Sequence, residues 1–264
     1  MLDKVEEIVR EVATEIVVPK FRSLSAGDIE EKAPGELVTV ADRASEVELS
    51  RRLLELLPSA QVVGEEAVAA DPGVLDRLAG DDPVWVIDPI DGTGNFAAGR
   101  EPFGIMVALV RRGSPVLAVI HEPVAGTMAL AELGAGTYLD GVRTVLEHEP
   151  LATDQLRGSV MSRYMPAELR ERVTGGFPLI DAALPGHHCA AREYPDVVRG
   201  RQHFTLFWRA HPWDHAAGAL IVTEAGGVMH RFDGSAYVVG DGRMGLLAAR
   251  DQQVFDQVRT ALLD

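Results

Sequence analysis

Six acids, Asp42, Glu65, Glu66, Asp88, Asp91 and Asp214, stand at the ends of apolar or extended runs, where side chains can meet a ligand. The run Val84-Trp85-Val86-Ile87 predicts a buried strand that delivers Asp88 to its carboxyl end, the end at which α/β proteins place ligands. Pro89 and Gly92 are expected to turn the chain there, so that Asp91 points into the same space as Asp88. Two carboxylates that close repel, and they stay ionised only with cations between them. Ligation by oxygen alone suits Mg²⁺ or another hard divalent ion, which keeps waters and takes substrate phosphate as a further ligand. Gly92-Thr93-Gly94, opening a short helix through Asn95, Phe96 and Ala97, would then aim successive backbone amides at a phosphate.

Taken singly, each fragment has a plain structural meaning. Asp88-Pro89-Ile90-Asp91 reads equally as a surface turn whose second aspartate caps a helix. Glu65 and Glu66, after Gly64, read as exposed loop acids, and Asp42 and Asp214 as helix caps. All four fragments in one chain favour a shared cation site.

The elements that must position these acids follow from periodicity. Val5, Ile8, Val9, Val12 and Ile16 predict a helix over 3–20, with Pro19 limiting its length, followed by a polar stretch from Ser23 to Gly35. A second helix is expected over 43–57, with Val47, Leu49, Leu53, Leu54 and Leu57 facing inward. Gln61-Val62-Val63 reads as a short strand. Segments 103–110, 115–121, 127–133 and 136–139, separated by turn residues, read as an antiparallel meander. Beyond about residue 150, strands are expected at 158–161, 177–180, 203–207 and 245–249. Helices are expected at 166–173, 189–199, 214–225 and 251–263, the last capped by Asp251. The fold class is α/β (α+β). Residues 1–150 form an antiparallel-sheet and helix half with most of the acids, and 151–264 a βαβ-like half with Asp214.

Val38-Thr39-Val40-Ala41-Asp42, Gly64-Glu65-Glu66, Asp88 through Phe96, Trp213-Asp214-His215-Ala216-Ala217-Gly218 and Glu224-Ala225-Gly226-Gly227 together resemble the inositol monophosphatase family, lithium-sensitive and Mg²⁺-dependent, along essentially the whole chain. The resemblance implies a five-layered αβαβα sandwich, a homodimer and two to three Mg²⁺ per active site. It assigns Glu65, Asp88 and the Ile90 carbonyl to a first metal, and Asp88, Asp91 and Asp214 to a second, with Glu65 helping a third. It further implies a water nucleophile oriented by Glu65 and Thr93, with Asp42 hydrogen-bonded to Thr93. Asp91 and the Gly92, Thr93 and Gly94 amides would hold the substrate.

The departures concern the substrate. Inositol phosphatases usually carry a glutamate seven residues before the aspartate of Trp-Asp, and Phe207 stands there instead, with no acid between 197 and 213. The family's small-residue stretch corresponds best to Gly186-His187-His188-Cys189, so His187 or His188 is a candidate contact to a charged or ring-bearing substrate. The two histidines and Cys189 diverge by roughly 100° per residue on a helix and make no zinc site. His211 and His215 flank Asp214. The expected substrate is an inositol monophosphate-like ester; histidinol phosphate, a sugar phosphate and adenosine 3′,5′-bisphosphate are alternatives, and a non-catalytic family member a further one.

Composition sets the limits. The 264 residues are 47% hydrophobic, enough for a sizeable core, and a net charge of −15 argues against nucleic acid as a partner. Cys189 is the only cysteine, so no intrachain disulfide forms. No signal-peptide layout and no apolar run of about 20 residues is present, so the expectation is a cytoplasmic protein with no membrane partner. Nicotinamide or flavin binding at Gly134 and Gly136 is unsupported, since the third glycine position is Leu139.

Overall fold

The computed structural model describes residues 1–264. Helix α1 (Leu2–Val12) passes through a π-helical turn (Ala13–Val17) into the short α2 (Val18–Lys20). The stretch expected to be polar loop contains β1 (Ile29–Ala33), paired antiparallel with β2 (Glu36–Thr39). Glu30, Glu31 and Lys32 hid this hairpin, because a two-stranded ribbon off the main sheets need not bury a face. Helix α3 (Val40–Leu56) begins three residues earlier than expected, at a Thr39–Asp42 capping box. Its inward face also differs: Leu49 and Leu53 are buried, but Val47 and Leu54 are exposed, and Asp42, Ser45 and Glu46 are buried in their place. The helix is turned to bring acids, not its full apolar set, to the interior.

Strands β3 (Gln61–Gly64), β4 (Val84–Asp91), β5 (Gly104–Arg111), β6 (Ser114–Glu122), β7 (Thr127–Glu132), β8 (Gly136–Leu139) and β9 (Val142–Thr144) form a seven-stranded sheet in sequence order. Only β3 and β4 are parallel. The second sheet runs β11 (Ala182–Leu184), β10 (Arg157–Met161), β12 (Phe204–Phe207), β14 (Leu246–Ala249), β13 (Val228–His230). The strand expected at 177–180 is instead a 3₁₀ turn, Phe177–Leu179, where Pro178 has no amide to donate to a ladder. The neighbouring strand is β11.

Period-two alternation sorts the layers. Trp85, Ile87, Ile105, Val107 and Val119 pack outward on α1 and α3. Val84, Val86, Met106, Ala108 and Ile120 face inward onto α7 (Ala190–Val198) and α8 (Pro212–Glu224). On the far side, Leu246 and Ala248 close this middle layer, while Leu247 and Ala249 join α6 (Ala167–Gly175) and α9 (Gln252–Leu262). The architecture is the five-layered αβαβα sandwich. Helix α8 is buried nearly all round through small residues; at Gly218 a β-carbon would lie 2.0 Å from the Tyr194 ring.

Between β3 and α3 the approach is as tight. A β-carbon on Gly64 would sit 2.3 Å from the Glu46 carboxyl carbon, and that carboxylate accepts from the Glu66 and Ala67 amides at 2.7 and 2.8 Å. Gly64→Ala must displace it and break both bonds. We expect a loss of about 1–3 kcal/mol of stability, read as a shifted urea midpoint with an unchanged slope.

Candidate metal centre and active-site cleft

The turn expected at Pro89 is a strand bulge. β4 continues to Asp91, with Asp88 opposite Met106 and Asp91 opposite Gly104, so three residues on one strand span two on the other. Residues three apart on a regular strand face opposite sides; the extra residue restores Asp91 to the face of Asp88. That face is the inner one, and it meets the first turn of α8, where Asp214 stands. One carboxylate oxygen from each of Asp88, Asp91 and Asp214 lies within 4.8 Å of the others. Glu65 arrives from the parallel neighbour: β3 pairs Gly64 with Ile87, so the next residue along, Glu65, stands beside Asp88 as the first residue of α4 (Glu65–Ala70).

Each acid is held by particular partners. Asp88 Oδ1 accepts from the Ile90 amide at 3.1 Å, and Asp91 Oδ2 accepts from the Ala191 amide at 2.6 Å. Lys32, on β1, donates to Glu65 Oε1 at 2.7 Å and Glu66 Oε1 at 2.6 Å. Asp42 is fully buried; its Oδ2 accepts from the Thr39 amide and hydroxyl, and its Oδ1 lies 3.2 Å from the Thr93 hydroxyl. That hydroxyl is also 2.9 Å from the Ile90 carbonyl, and its single proton serves one acceptor at a time. Gly92 has φ +84°, a left-handed conformation that opens α5 (Thr93–Ala97) and leaves the Gly94 position facing open space.

Burial raises Asp42, Glu65, Asp88, Asp91 and Asp214. Asp42 and Asp91 are pushed up to about 6 and Glu65 to about 7. Asp88 and Asp214 go well above the usual carboxylate range, first through burial and then through repulsion from the acids around them. Such a cluster takes up either protons or cations. The donors are all oxygen: the three aspartates, Glu65 beside them, and the Ile90 carbonyl, which retains a lone pair. This chemistry fits a hard divalent ion.

The cleft over the cluster has a volume of about 920 Å³ and is lined by Lys32, Glu65, Thr93, Gly94 and Asp214 among others. Of the two candidate histidines, His188 stands on the cleft wall. His187 does not; its ring turns to Asp196, 3.5 Å away, while its amide donates to Glu193. The small residues that follow, Ala190 and Ala191, open α7 and supply the amide that holds Asp91. Phe207 both packs and lines: it is 7% exposed, rests against the rings of Tyr194 (5.3 Å) and His215 (4.8 Å), and forms part of the cleft wall. His215 does not bond Asp214. Its Nε2 donates to the Arg209 carbonyl, its Nδ1 accepts from the Tyr194 hydroxyl, and burial depresses it to about 3. His211 stacks on Trp213.

Sequence reasoning missed the supporting residues Glu46 and Ala191 and the cleft-lining Arg163, Tyr164 and Arg209. The first two act through contacts 20 and 100 residues apart, which no local pattern carries. The other three lie in loops after strands, the one available signal.

Layer order and a buried all-oxygen acid cluster under a cleft define an αβαβα protein with a candidate metal centre. The model of the inositol monophosphatase family matches residues 1–262, and the chain belongs to that family. A fructose-1,6-bisphosphatase/inositol-1-monophosphatase of Thermotoga maritima is 31% identical over 208 residues, 75% of this chain and 73% of that protein. A Nus factor SuhB of Escherichia coli is 27% identical over 230 residues, 84% of this chain and 82% of that protein. The solved structure of a Thermotoga maritima IMPase superposes with a TM-score of 0.82 at 26% identity, covering 99% of this chain and 96% of that one. Family membership supports a phosphatase acting on a small phosphate ester. No helix is long and apolar enough to cross a membrane.

The raised acids set a pH dependence. Their folded-state values exceed the unfolded ones, so they favour folding fully below about pH 4 and this contribution is lost as pH rises through about 6–7. Metal-free protein should therefore lose thermal stability between about pH 5 and 8, and Mg²⁺ should restore it more at the higher pH. Differential scanning fluorimetry with and without Mg²⁺ reads both; a Mg²⁺ effect equal at all pH values contradicts the assignment.

Proposed function

We propose that the protein is a magnesium-dependent phosphomonoesterase, a phosphoric monoester hydrolase acting on an inositol monophosphate-like ester with two to three Mg²⁺ at the site. The observation that carries this reading is the convergence of Asp88, Asp91 and Asp214 from a bulged strand and a buried helix, with Glu65 and the Ile90 carbonyl beside them. When bound, the ions neutralise phosphoryl charge and acidify water.

The chain's own groups do the rest. Thr93, giving its proton to Asp42 or to the Ile90 carbonyl, keeps lone pairs free to accept from an attacking water, and Glu65 accepts that water's other proton. Asp42, held by Thr39 on its other oxygen, keeps Thr93 oriented. The amides of Gly92, Thr93 and Gly94 seat the phosphate, and Asp91 would act on it only through the cations it helps to hold. The leaving alcohol extends toward Phe207 and His188; Phe207 accepts no hydrogen bond from a polyol, so grip on inositol is weak. Histidinol phosphate, a sugar phosphate and adenosine 3′,5′-bisphosphate remain substrates to compare. The reading includes lithium sensitivity, a cytoplasmic homodimer and no nucleic-acid partner, the last supported by the charge of −15.

A second reading, a non-catalytic family member, draws on the Nus factor relative. Retention of Glu65, Asp88, Asp91, Thr93 and Asp214 favours the enzyme. A phosphate-release assay with Mg²⁺ decides between them. We expect turnover that Li⁺ inhibits and that Asp91→Asn lowers by about a hundredfold or more with the fold retained. Turnover unchanged by Asp91→Asn would falsify the metal assignment.

A further inference from the structure

The cleft has a second wall that neither the acid cluster nor the phosphate seat uses. β10 and β12 are parallel, with Met161 opposite Phe207, so the residues after them emerge side by side at the carboxyl end of the sheet. These are Arg163 and Tyr164 from one strand, and Trp208 and Arg209 from the other; all four line the cleft. The Arg209 guanidinium lies 3.7 Å from the centre of the Tyr164 ring, and that of Arg163 lies 5.1 Å from it. Arg209 also pairs with Glu36, the one acid that lines the cleft outside the cluster. Arg163 has no acid partner. Its guanidinium rests against Gly35 at the hairpin turn, where a β-carbon would come within 2.4 Å of it.

The chemistry of this wall is one-sided. A polyol leaving group needs acceptors for its hydroxyls, and Phe207, Tyr164, Trp208 and two guanidiniums supply almost none. Both guanidiniums lie over the Tyr164 ring; Arg209 commits N–H groups to Glu36, while the Arg163 guanidinium donates to no protein acceptor and is left to take up carboxylate or phosphate. An unpaired arginine at a cleft mouth is notable on a chain of net charge −15. The Tyr164 ring is already covered by Arg209, which disfavours stacking of a nucleobase there. At about 920 Å³ the cleft has room beyond one phosphate and one small ring.

We propose that the Arg163–Tyr164–Arg209 wall binds a second anionic group on the leaving-group part of the substrate. The preferred substrates are then phosphate esters whose alcohol carries a further phosphate or carboxylate. This rests on the phosphatase reading and names the substrate class for the same site.

The test compares kcat/KM, with Mg²⁺, within pairs differing in the second anion: fructose 1,6-bisphosphate against fructose 1-phosphate, and 3-phosphoglycerate against glycerol 3-phosphate. The first pair reports a phosphate, the second a carboxylate. At least one pair should favour the doubly anionic member by about tenfold, and Arg163→Gln should reduce that ratio toward one. Arg163→Lys should keep part of it. Equal rates within both pairs, or a preference that survives Arg163→Gln, overturns the proposal while leaving the phosphatase reading intact. If no ester is hydrolysed, the phosphatase reading fails separately. Calorimetric binding of fructose 1,6-bisphosphate then decides: weaker binding by Arg163→Gln supports the wall, and equal binding refutes it.

Discussion

Like charges gathered in a space that water barely reaches are the constraint on which the rest depends. Asp88 is 2% exposed, Asp91 9% and Asp42 fully buried, and Asp214 and Glu65 crowd the same region. Each has a raised affinity for protons because burial and its neighbours disfavour the charge. A fold left to itself would push these groups apart. Here the backbone is committed to holding them together, through the one-residue bulge of β4, the parallel register of β3 and the first turn of α8.

Rigidity of the supports follows from packing. Helix α8 lies between the two sheets and is lined with Ala216, Ala217, Gly218 and Ala219, so close approach on all sides fixes where Asp214 stands. Glu46 spends its carboxylate on the first amides of α4 and thereby fixes Glu65. Lys32 offsets part of the local charge from a hairpin that belongs to neither large sheet. The acid cluster is therefore rigid on its sheet side and joined to a lighter element on its cleft side. A site that admits ions and a phosphate ester is expected to have that asymmetry.

Much of this was legible in the sequence, and the parts that were not have a common cause. The meander from Gly104 to Leu139 and the helices opening at Pro212 and Gln252 follow from local periodicity, turns and caps. Asp88, Asp91 and Asp214 were singled out by where strands and helices end, and the structure places them together. The bulge was not legible, because Pro89 reads equally as a turn and only the partner strand shows the extra residue. Val47 and Leu54 face solvent, against the apolar pattern, because α3 buries Glu46 and Asp42 and not its most apolar side. The turn of His187 toward Asp196 and of Arg163 toward Gly35 are long-range outcomes with no local signature.

The central claim is that the carboxylates of Asp88, Asp91 and Asp214, with Glu65, are a seat for divalent cations. Crystals grown near pH 7.5 and soaked in Mn²⁺ test it by anomalous diffraction. The account predicts strong anomalous peaks among these four side chains, with oxygen ligands only. Ordered carboxylates with no peak between them, or peaks confined to the acidic surface, would contradict it.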